Sequence, residues 1–332
     1  MIDTKTRLAF EAQVAGFDAP GRQAADAVER SAACTKGGDL AQAERLCSAM
    51  ARVAFVTPEA TVLVYDAFAR GWLGRNKLDS GVPFEQPRAA DLPAEKAPLS
   101  ARFWQSFWDI AEQAENLSAA EITSRIAALP GELPDSFGAR AEVVARTHPG
   151  AAGAAERAVP ARLSLDALAA QPAGSLGHAL HRLIVDNRFD LEVLDREAIG
   201  LVRLPPALRY LNTRILQMHD IWHLVGGYAT TSLHEIAISA FQLAQFGHNY
   251  SAMFLATVAT SSRFNRPEAL GLLLQVMAEA WEHGRTSPSF MAIEWEREWH
   301  RTIPEIHARH KIEPFASVFP ADVIEQARAA RA

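Results

Sequence analysis

The chain has 332 residues, of which 49% are hydrophobic and 22% are charged, and its formal net charge is −6. This composition is typical of a globular protein with one large core or two modest ones, and it excludes the strongly basic surface of a nucleic-acid-binding protein. Only two cysteines occur, Cys34 and Cys47, with twelve residues between them and no Cys-x-x-Cys pattern. That usage argues against a disulfide framework and favours a reducing cytoplasm.

The N-terminal stretch, MIDTKTRLAFEAQVAGFDAP, has no long apolar core after a basic start. It does not match a secretory signal, and Asp3 and Glu11 argue against a mitochondrial transit peptide. No run reaches the ~18 apolar residues that a membrane-spanning helix needs. The apolar stretches 62–72 and 252–258 are candidates for contact with a membrane surface, with burial in the core as the alternative.

The N-terminal region is predicted to be helical and to be separate from the rest of the chain. Residues 21–74 predict two or three helices, the last of which runs from Pro58 to Trp72. Segment 81–100 is rich in proline and charge and predicts a linker or surface loop. We therefore expect an N-terminal helical region over 1–150 and a second helical domain over 151–332.

Helix signals continue to the end of the chain. Ser118 with Glu121 three residues on predicts a capping box, and residues 129–160 predict a loop-rich connection. Pro267 opens a helix that closes at Gly284, and Pro288 is predicted to open another with a solvated acidic face. Alternating β-branched runs are short and isolated. The sequence therefore predicts an all-α protein, folded as a multi-helix bundle.

Four side chains that can bind a metal ion lie within seventeen residues, at His219, Asp220, His223 and Glu235. His219 and His223 are one helical turn apart along the edge of an apolar face. The pair Gly226-Gly227 then predicts the helix end, so that a helical hairpin would return Glu235 to the histidines. Two imidazoles with one or two carboxylates suit Zn²⁺ or Fe²⁺.

Each member of this cluster also has a structural interpretation. Ser232-x-x-Glu235 fits a capping box, in which the glutamate would hold no metal ion, and a histidine on an apolar helix edge often belongs to the core. The coincidence of four such residues where the chain reverses favours a metal site. Neighbouring helical side chains point ~100° apart, so Asp220 is a ligand, a general base or a group that orients a histidine.

The other histidines carry weaker signals. His178 and His181 are three positions apart, but no carboxylate motif accompanies them and their apolar neighbours indicate a packed helix. His300, His307 and His310 are spread along a predicted surface helix, where exposure is the expected outcome.

The central motif carries a resemblance to a known family. His219-Asp220-Ile221-Trp222-His223, then eleven residues and Glu235, resembles the H-D-x-x-H-x11-E signature of the coenzyme Q biosynthesis protein 4 family. The resemblance covers about residues 162–312. Further segments similar to the family are Gly174-Ser175-Leu176-Gly177-His178, Arg214, Glu235-Ile236-Ala237, Gly284-Arg285 and the stretch 295–304.

The chain also departs from the family pattern. His234 stands where the family has glycine before the motif glutamate, which adds either an extra ligand or a steric change. Ser239-Ala240-Phe241-Gln242 replaces a Lys-Trp-Phe-Glu continuation. The first 150 or so residues show no match to the family.

The resemblance implies a role in ubiquinone biosynthesis with Zn²⁺ as the cofactor and Fe²⁺ as the alternative. It implies a lyase that removes the C1 carboxyl, with oxidation, from a 4-hydroxybenzoate ring carrying a polyprenyl tail. The ligands would be His219, Asp220, His223 and Glu235, with Asp220 also a candidate catalytic group. A non-catalytic prenyl-lipid-binding or scaffold protein is the alternative, and likeness to H-E-x-x-H suggests a metal-dependent hydrolase as a second one.

The same resemblance sets the expected partners. They are a polyprenylated benzoate or quinone precursor, other ubiquinone biosynthesis proteins and, as an open alternative, a second copy of the chain. Because a polyprenyl tail partitions into lipid, we expect peripheral contact with the inner face of the cell membrane, and no nucleic acid.

Overall fold

The computed structural model describes residues 2–17, 22–78, 87–93, 98–114, 116–151, 153–191 and 201–330. Within these ranges there is no β-strand, and a single β-bridge joins Ser175 to Thr302. The all-α prediction is therefore confirmed. The helices are α1 Thr4–Gly16, α2 Arg22–Lys36, α3 Leu40–Phe55, α4 Thr61–Leu73, α5 Ala101–Gln113, α6 Ala119–Ala128, α7 Asp135–Ala145, α8 Leu165–Ala169, α9 Leu176–Asn187, α10 Pro206–Gly226, α11 Ser232–Phe246, α12 Asn249–Asn265, α13 Pro267–Thr286, α14 Ile303–His310 and α15 Val323–Ala329.

The N-terminal helices follow their sequence signals. Three helices, α2 to α4, occupy 22–73, and a 3₁₀ turn at Pro58–Ala60 leads into the last of them. The Ser118 hydroxyl accepts the backbone N–H of Glu121 while the Glu121 carboxylate accepts the N–H of Ser118, which confirms the capping box. Of the predicted linker 81–100, residues 81–86 and 94–97 lie outside the described part. The remainder contains a 3₁₀ turn at Ala89–Asp91.

The loop-rich prediction for 129–160 is wrong over α7. Phe137, Ala141 and Val144 are buried at helical spacing, so this segment has an amphipathic face that its flanking prolines obscure. The N-cap position of α7 is Pro134, in extended conformation. A proline just before a helix is compatible with the helix that follows, because its missing N–H is not needed there.

The helix predicted after Pro288 is also wrong. Only two 3₁₀ turns form there, at Phe290–Ala292 and Trp295–Arg297. Nor is the acidic face fully solvated, because Glu298 is 5% exposed and lies 2.9 Å from the guanidinium of Arg301. Its carboxylate also faces Arg309 and His310, so three cationic or basic groups replace the water that we expected around it.

Helix α11 lies at the centre of the molecule and is buried along nearly its whole length. It packs against α10, α12 and α13, while α12 contacts α3 and α13 contacts α4. The buried core is continuous and includes Phe10 and Phe55 from the first 150 residues as well as Trp281 and Trp222 from the remainder. The helices that carry the family-like motif are therefore supported by N-terminal helices.

Both stretches considered for membrane contact lie in this core. Val64 and Phe68 of the first and Leu255 and Ala256 of the second have no exposed surface. The alternative of core burial is therefore confirmed for both. Across the described residues, no helix combines the length and apolar character required to cross a bilayer.

Candidate metal centre

The histidine helix α10 ends where the sequence predicts. Pro205 and Pro206 stand at its start, and Gly227 follows its last residue in the left-handed conformation at φ 78°. The N–H of Gly227 bonds the carbonyl of His223, closing the last turn. A Cβ at Gly227 would lie 2.9 Å from Cβ of Pro314, so this turn needs glycine for conformation and for space.

The glutamate helix α11 begins without the predicted capping box. Its N-cap is Thr231, whose hydroxyl makes no capping bond and donates instead to the carbonyl of Ala321, 2.6 Å away. The N–H of Ser232 donates to Glu325 at 2.9 Å, a residue of α15. Glu235 therefore makes no capping hydrogen bond at the start of α11, and its carboxylate faces the two histidines. The capping interpretation is wrong.

Three of the predicted ligands come together. Nε2 of His219 lies 3.0 Å from Nε2 of His223, and the Glu235 carboxylate lies 3.5 Å from the first and 3.3 Å from the second. Among the His, Cys, Asp and Glu side chains of the described residues, these three have ligand atoms close enough together to bind one metal ion. Donors at 2.0–2.1 Å around a tetrahedral Zn²⁺ stand about 3.3 Å apart, so the observed spacing fits such an ion.

Asp220 lies beside the group but outside it. Its side chain is 8% exposed and lines the same cavity as His219 and Glu235. Burial raises the pKa of its carboxyl above the ordinary value, against the pull of the neighbouring imidazoles. Among the described residues, His178 and His181 belong to no such cluster.

The triad is electrostatically coupled. Burial alone would raise the pKa of Glu235, but the imidazoles of His219 and His223 beside its carboxylate hold it well below its ordinary value. For His219, burial would lower the pKa, yet the Glu235 carboxylate 3.5 Å from Nε2 raises it. The carboxylate is thus kept ionised between two imidazoles, which is the charge state that a divalent cation requires.

The orientation of His223 is fixed by the turn that follows α10. Its Nδ1 lies 3.1 Å from the backbone oxygen of Tyr228, to which only an Nδ1–H can donate. Nε2 therefore keeps its lone pair and points to the cluster. Tyr228 is itself held by His283, since its hydroxyl lies 2.6 Å from Nδ1 while Nε2 donates to the carbonyl of Glu313 at 2.8 Å.

The site opens into a cavity of about 2080 Å³. The side chain of Glu235 is 45% exposed and that of His219 is 23% exposed, whereas that of His223 is only 2% exposed. The cluster thus occupies a polar patch on the wall, within reach of a molecule in the cavity. The surrounding wall is largely apolar and includes Ile110, Ile122, Leu133, Phe137, Leu208, Ile215, Met253, Phe254, Val258, Leu272, Leu273 and Ile324.

Arg214, which is part of the family resemblance, and His234, which departs from it, serve other purposes. Both terminal nitrogens of Arg214 bond the carboxylate of Glu296, one of them at 2.8 Å, and this pair joins α10 to the segment after α13. His234 is not a ligand of the cluster, since its Nδ1 accepts the N–H of Ala229 at 2.8 Å. Burial lowers the pKa of its ring.

The sequence pattern missed several polar neighbours of the site. Gln242 lies 2.7 Å from Nδ1 of His219, and beyond it follow Ser251, His248 and Asn212. Gln242 comes seven residues after Glu235, hence two turns along the same face of α11, and that spacing is the signal that identifies it.

The part of the chain that forms this site matches a known family. Residues 156–316 match the family described as "Coenzyme Q (ubiquinone) biosynthesis protein Coq4". The "Ubiquinone biosynthesis protein COQ4 homolog, mitochondrial" of Drosophila ananassae is 27% identical over 41% of this chain and 50% of its own length. The zebrafish (Danio rerio) protein with the same description is 27% identical over 45% of this chain and 53% of its own.

The chain spans about half the length of the curated relatives it matches. A solved protein from Nostoc punctiforme is 24% identical, with a TM-score of 0.48 over 63% of this chain and 95% of that one. The family match includes α9 to α14 and the three side chains that we call the metal-type cluster, His219, His223 and Glu235. Residues 156–316 of this chain are therefore similar to the Coq4 family.

Proposed function

We propose that this protein acts in ubiquinone biosynthesis as a metal-dependent lyase that removes the C1 carboxyl from a 4-hydroxybenzoate ring carrying a polyprenyl tail. The observation that carries the proposal is the position of the His219–His223–Glu235 cluster on the wall of a large apolar cavity. The cluster is suited to the polar ring, and the cavity is suited to the tail. Burying the tail contributes ~0.8 kcal/mol per CH₂ group.

The ligand set supports an enzyme rather than a purely structural metal site. Structural zinc sites are closed by four protein ligands, whereas catalytic sites have three and an open position. Here three side chains converge and two of them are accessible from the cavity. An ion held by these three side chains would supply Lewis-acid polarisation of a carboxylate or phenol oxygen, with Zn²⁺ proposed and Fe²⁺ as the alternative.

In this proposal Asp220 handles the proton. Its buried carboxyl has a raised pKa, so a larger fraction stays protonated near neutral pH than for an ordinary aspartate. As the bond from C1 to the carboxyl carbon breaks and carbon dioxide leaves, Asp220 donates a proton to C1. In the oxidative form C1 receives a hydroxyl instead, with dioxygen and water consumed and hydrogen peroxide released beside carbon dioxide.

The apolar rim of the cavity supports peripheral contact with a membrane. Phe189 lines the cavity and is 40% exposed, and nearby Val185 and Val202 are 50% and 68% exposed. Arg188 and Arg203 also line the cavity at this end. Exposed apolar side chains beside arginines are typical of surfaces that dock on anionic lipid, so we propose that this rim admits the tail.

The direct test is release of labelled carbon dioxide from a polyprenylated 4-hydroxybenzoate labelled at its carboxyl group. Purified protein loaded with Zn²⁺ or Fe²⁺ should release it, and His223→Ala and Asp220→Asn should not. In cells, a strain lacking the protein should accumulate a prenylated ring that retains its C1 carboxyl. Normal ubiquinone levels in that strain would contradict the proposed role.

The cavity also favours a second candidate, a prenyl-lipid-binding or scaffold protein for other ubiquinone biosynthesis enzymes. The two candidates differ in what the metal-type cluster does. If His219→Ala restores ubiquinone synthesis in the deletion strain while a variant with a blocked cavity does not, the scaffold is favoured over the lyase.

A further inference from the structure

A row of polar side chains leads from the metal-type cluster along the cavity wall. Nδ1 of His219 lies 2.7 Å from the amide of Gln242, whose other end lies 3.3 Å from the hydroxyl of Ser251. The same hydroxyl lies 2.9 Å from Nδ1 of His248, and Nε2 of His248 lies 3.2 Å from the amide oxygen of Asn212. The row thus connects α10, α11 and α12.

The far end of the row fixes the direction of its hydrogen bonds. The amide nitrogen of Asn212 donates to the carbonyl of Leu208 at 2.7 Å, and a carbonyl can only accept. The amide oxygen of Asn212 must therefore face His248, whose Nε2 must carry the hydrogen. Burial lowers the pKa of His248 to about 3, so the ring is neutral and its Nδ1 is an acceptor.

The direction of the hydrogen bonds at His248 also determines those nearer to His219. Ser251 has a single O–H, which it donates to Nδ1 of His248, so its oxygen accepts from Gln242. The Gln242 amide lies with its nitrogen towards His219, but a half-turn exchanges nitrogen and oxygen without changing the shape of the side chain. Only the turned amide donates to Ser251 and accepts Nδ1–H of His219, and this leaves Nε2 of His219 unprotonated.

We propose that Asn212, His248, Ser251 and Gln242 are positioning residues that fix His219 in the tautomer whose Nε2 is free to bind a metal ion. The proposal rests on the metal site of the proposed function and identifies the residues that set the tautomer of one of its ligands. The tautomer of His223 is fixed locally, by the backbone oxygen of Tyr228 five residues later. His219 instead depends on side chains from three helices.

Two measurements on the metal-free protein and its Zn²⁺ complex test this. Long-range ¹⁵N NMR of wild-type protein without metal, recorded at a pH where His219 is neutral, should show its proton on Nδ1. Replacing Gln242 by methionine, which keeps its length and removes the acceptor, should give a mixture of tautomers and weaken Zn²⁺ binding by ~10–100-fold in a chelator competition. Gln242→Glu keeps an acceptor at this position and should retain the affinity.

A matched control is Gln245→Met on the same helix. Gln245 is also buried and hydrogen-bonded, to the carbonyl of Gly284 and the N–H of Phe290, but has no bond to His219. It should alter stability without altering the tautomer of His219. If Gln242→Met does not fold, Asn212→Leu serves as the second test variant, and it should loosen the tautomer preference from the far end.

The outcomes separate this proposal from the one on which it rests. A neutral His219 ring with its proton on Nε2 in the wild-type protein would overturn the positioning role, as would unchanged Zn²⁺ affinity in Gln242→Met. Absence of Zn²⁺ binding by the wild-type protein would instead refute the metal site. None of these measurements depends on catalytic activity.

Discussion

The indole N–H of Trp281 donates a hydrogen bond to the carboxylate of Asp66, 2.8 Å away, and so joins α13 of the family-like part to α4. The same carboxylate accepts from Arg285 at 3.1 Å. We infer that residues 1–150 support the metal-type cluster by holding α13 in place. The division of the chain at residue 150 itself remains a prediction.

Removing this carboxylate should destabilise the whole molecule. Asp66→Ala leaves a fully buried indole N–H and a buried guanidinium without their partner, which should lower the free energy of unfolding by ~2–4 kcal/mol. Chemical denaturation measures the change. Asp186→Ala, which breaks an exposed pair with Arg182, is the control and should cost less than ~1 kcal/mol. Equal effects of the two variants would contradict the supporting role.

The ligand assignment predicts a graded loss of metal. His223→Ala should lower the Zn²⁺ affinity by more than the ~10–100-fold that loss of a supporting group costs, because it removes a bond to the ion itself. Asp220→Asn should keep its metal and lose activity. Elemental analysis after dialysis measures both. His234→Ala, which alters a buried histidine outside the cluster, should retain the ion, and full metal content in His223→Ala would refute the site.

The turn between the ligand helices should tolerate no side chain. In Gly227→Ala, a left-handed φ and a contact of 2.9 Å with Pro314 act together, so we expect a loss of stability above ~1 kcal/mol. Gly38→Ala is the control, because Gly38 also has positive φ but meets nothing within 4 Å. Thermal unfolding compares them. If Gly227→Ala costs no more than Gly38→Ala, the tight packing of this turn is not important.

Filling the cavity should separate tail binding from metal binding. Leu272→Trp places a larger side chain on the cavity wall and should weaken binding of a long-tailed substrate at least ~10-fold while a one-isoprene analogue binds as before. Metal content should not change. Leu40→Trp, at a side chain exposed away from the cavity, is the control. Equal losses for long and short tails would argue against the cavity as the tail site.

The rim predicts how the protein meets lipid. Phe189→Ser with Val202→Ser should reduce sedimentation with vesicles that contain anionic lipid, because Phe189 lines the cavity and Val202 is exposed between two residues that line it, Leu201 and Arg203. Val318→Ser removes an equally exposed apolar side chain that does not line the cavity and should have no effect. Undiminished binding of the double variant would show that the membrane contact lies elsewhere.

Local signals in the sequence predicted the helices that carry the ligands. The apolar spacing of α10, its ending at Gly227 and the motif spacing to Glu235 are all properties of neighbouring residues. The local pattern wrongly predicted a helix after Pro288. The chain forms 3₁₀ turns there, and the indole of the buried Trp295 donates to the carbonyl of Phe290. It also missed the partners of His219, because Ser251 and His248 reach the site through packing of α12 on α11.

The three side chains of the cluster come from two different helices, so a metal ion bound between them would link the lifetime of the protein to its metal supply. An ion bound by α10 and α11 together is released when they separate, so binding opposes unfolding by mass action. At a free ion concentration one hundred times the dissociation constant, this adds ~2.7 kcal/mol to the stability. A cell short of the metal would then lose the protein itself to proteolysis, and not only its activity.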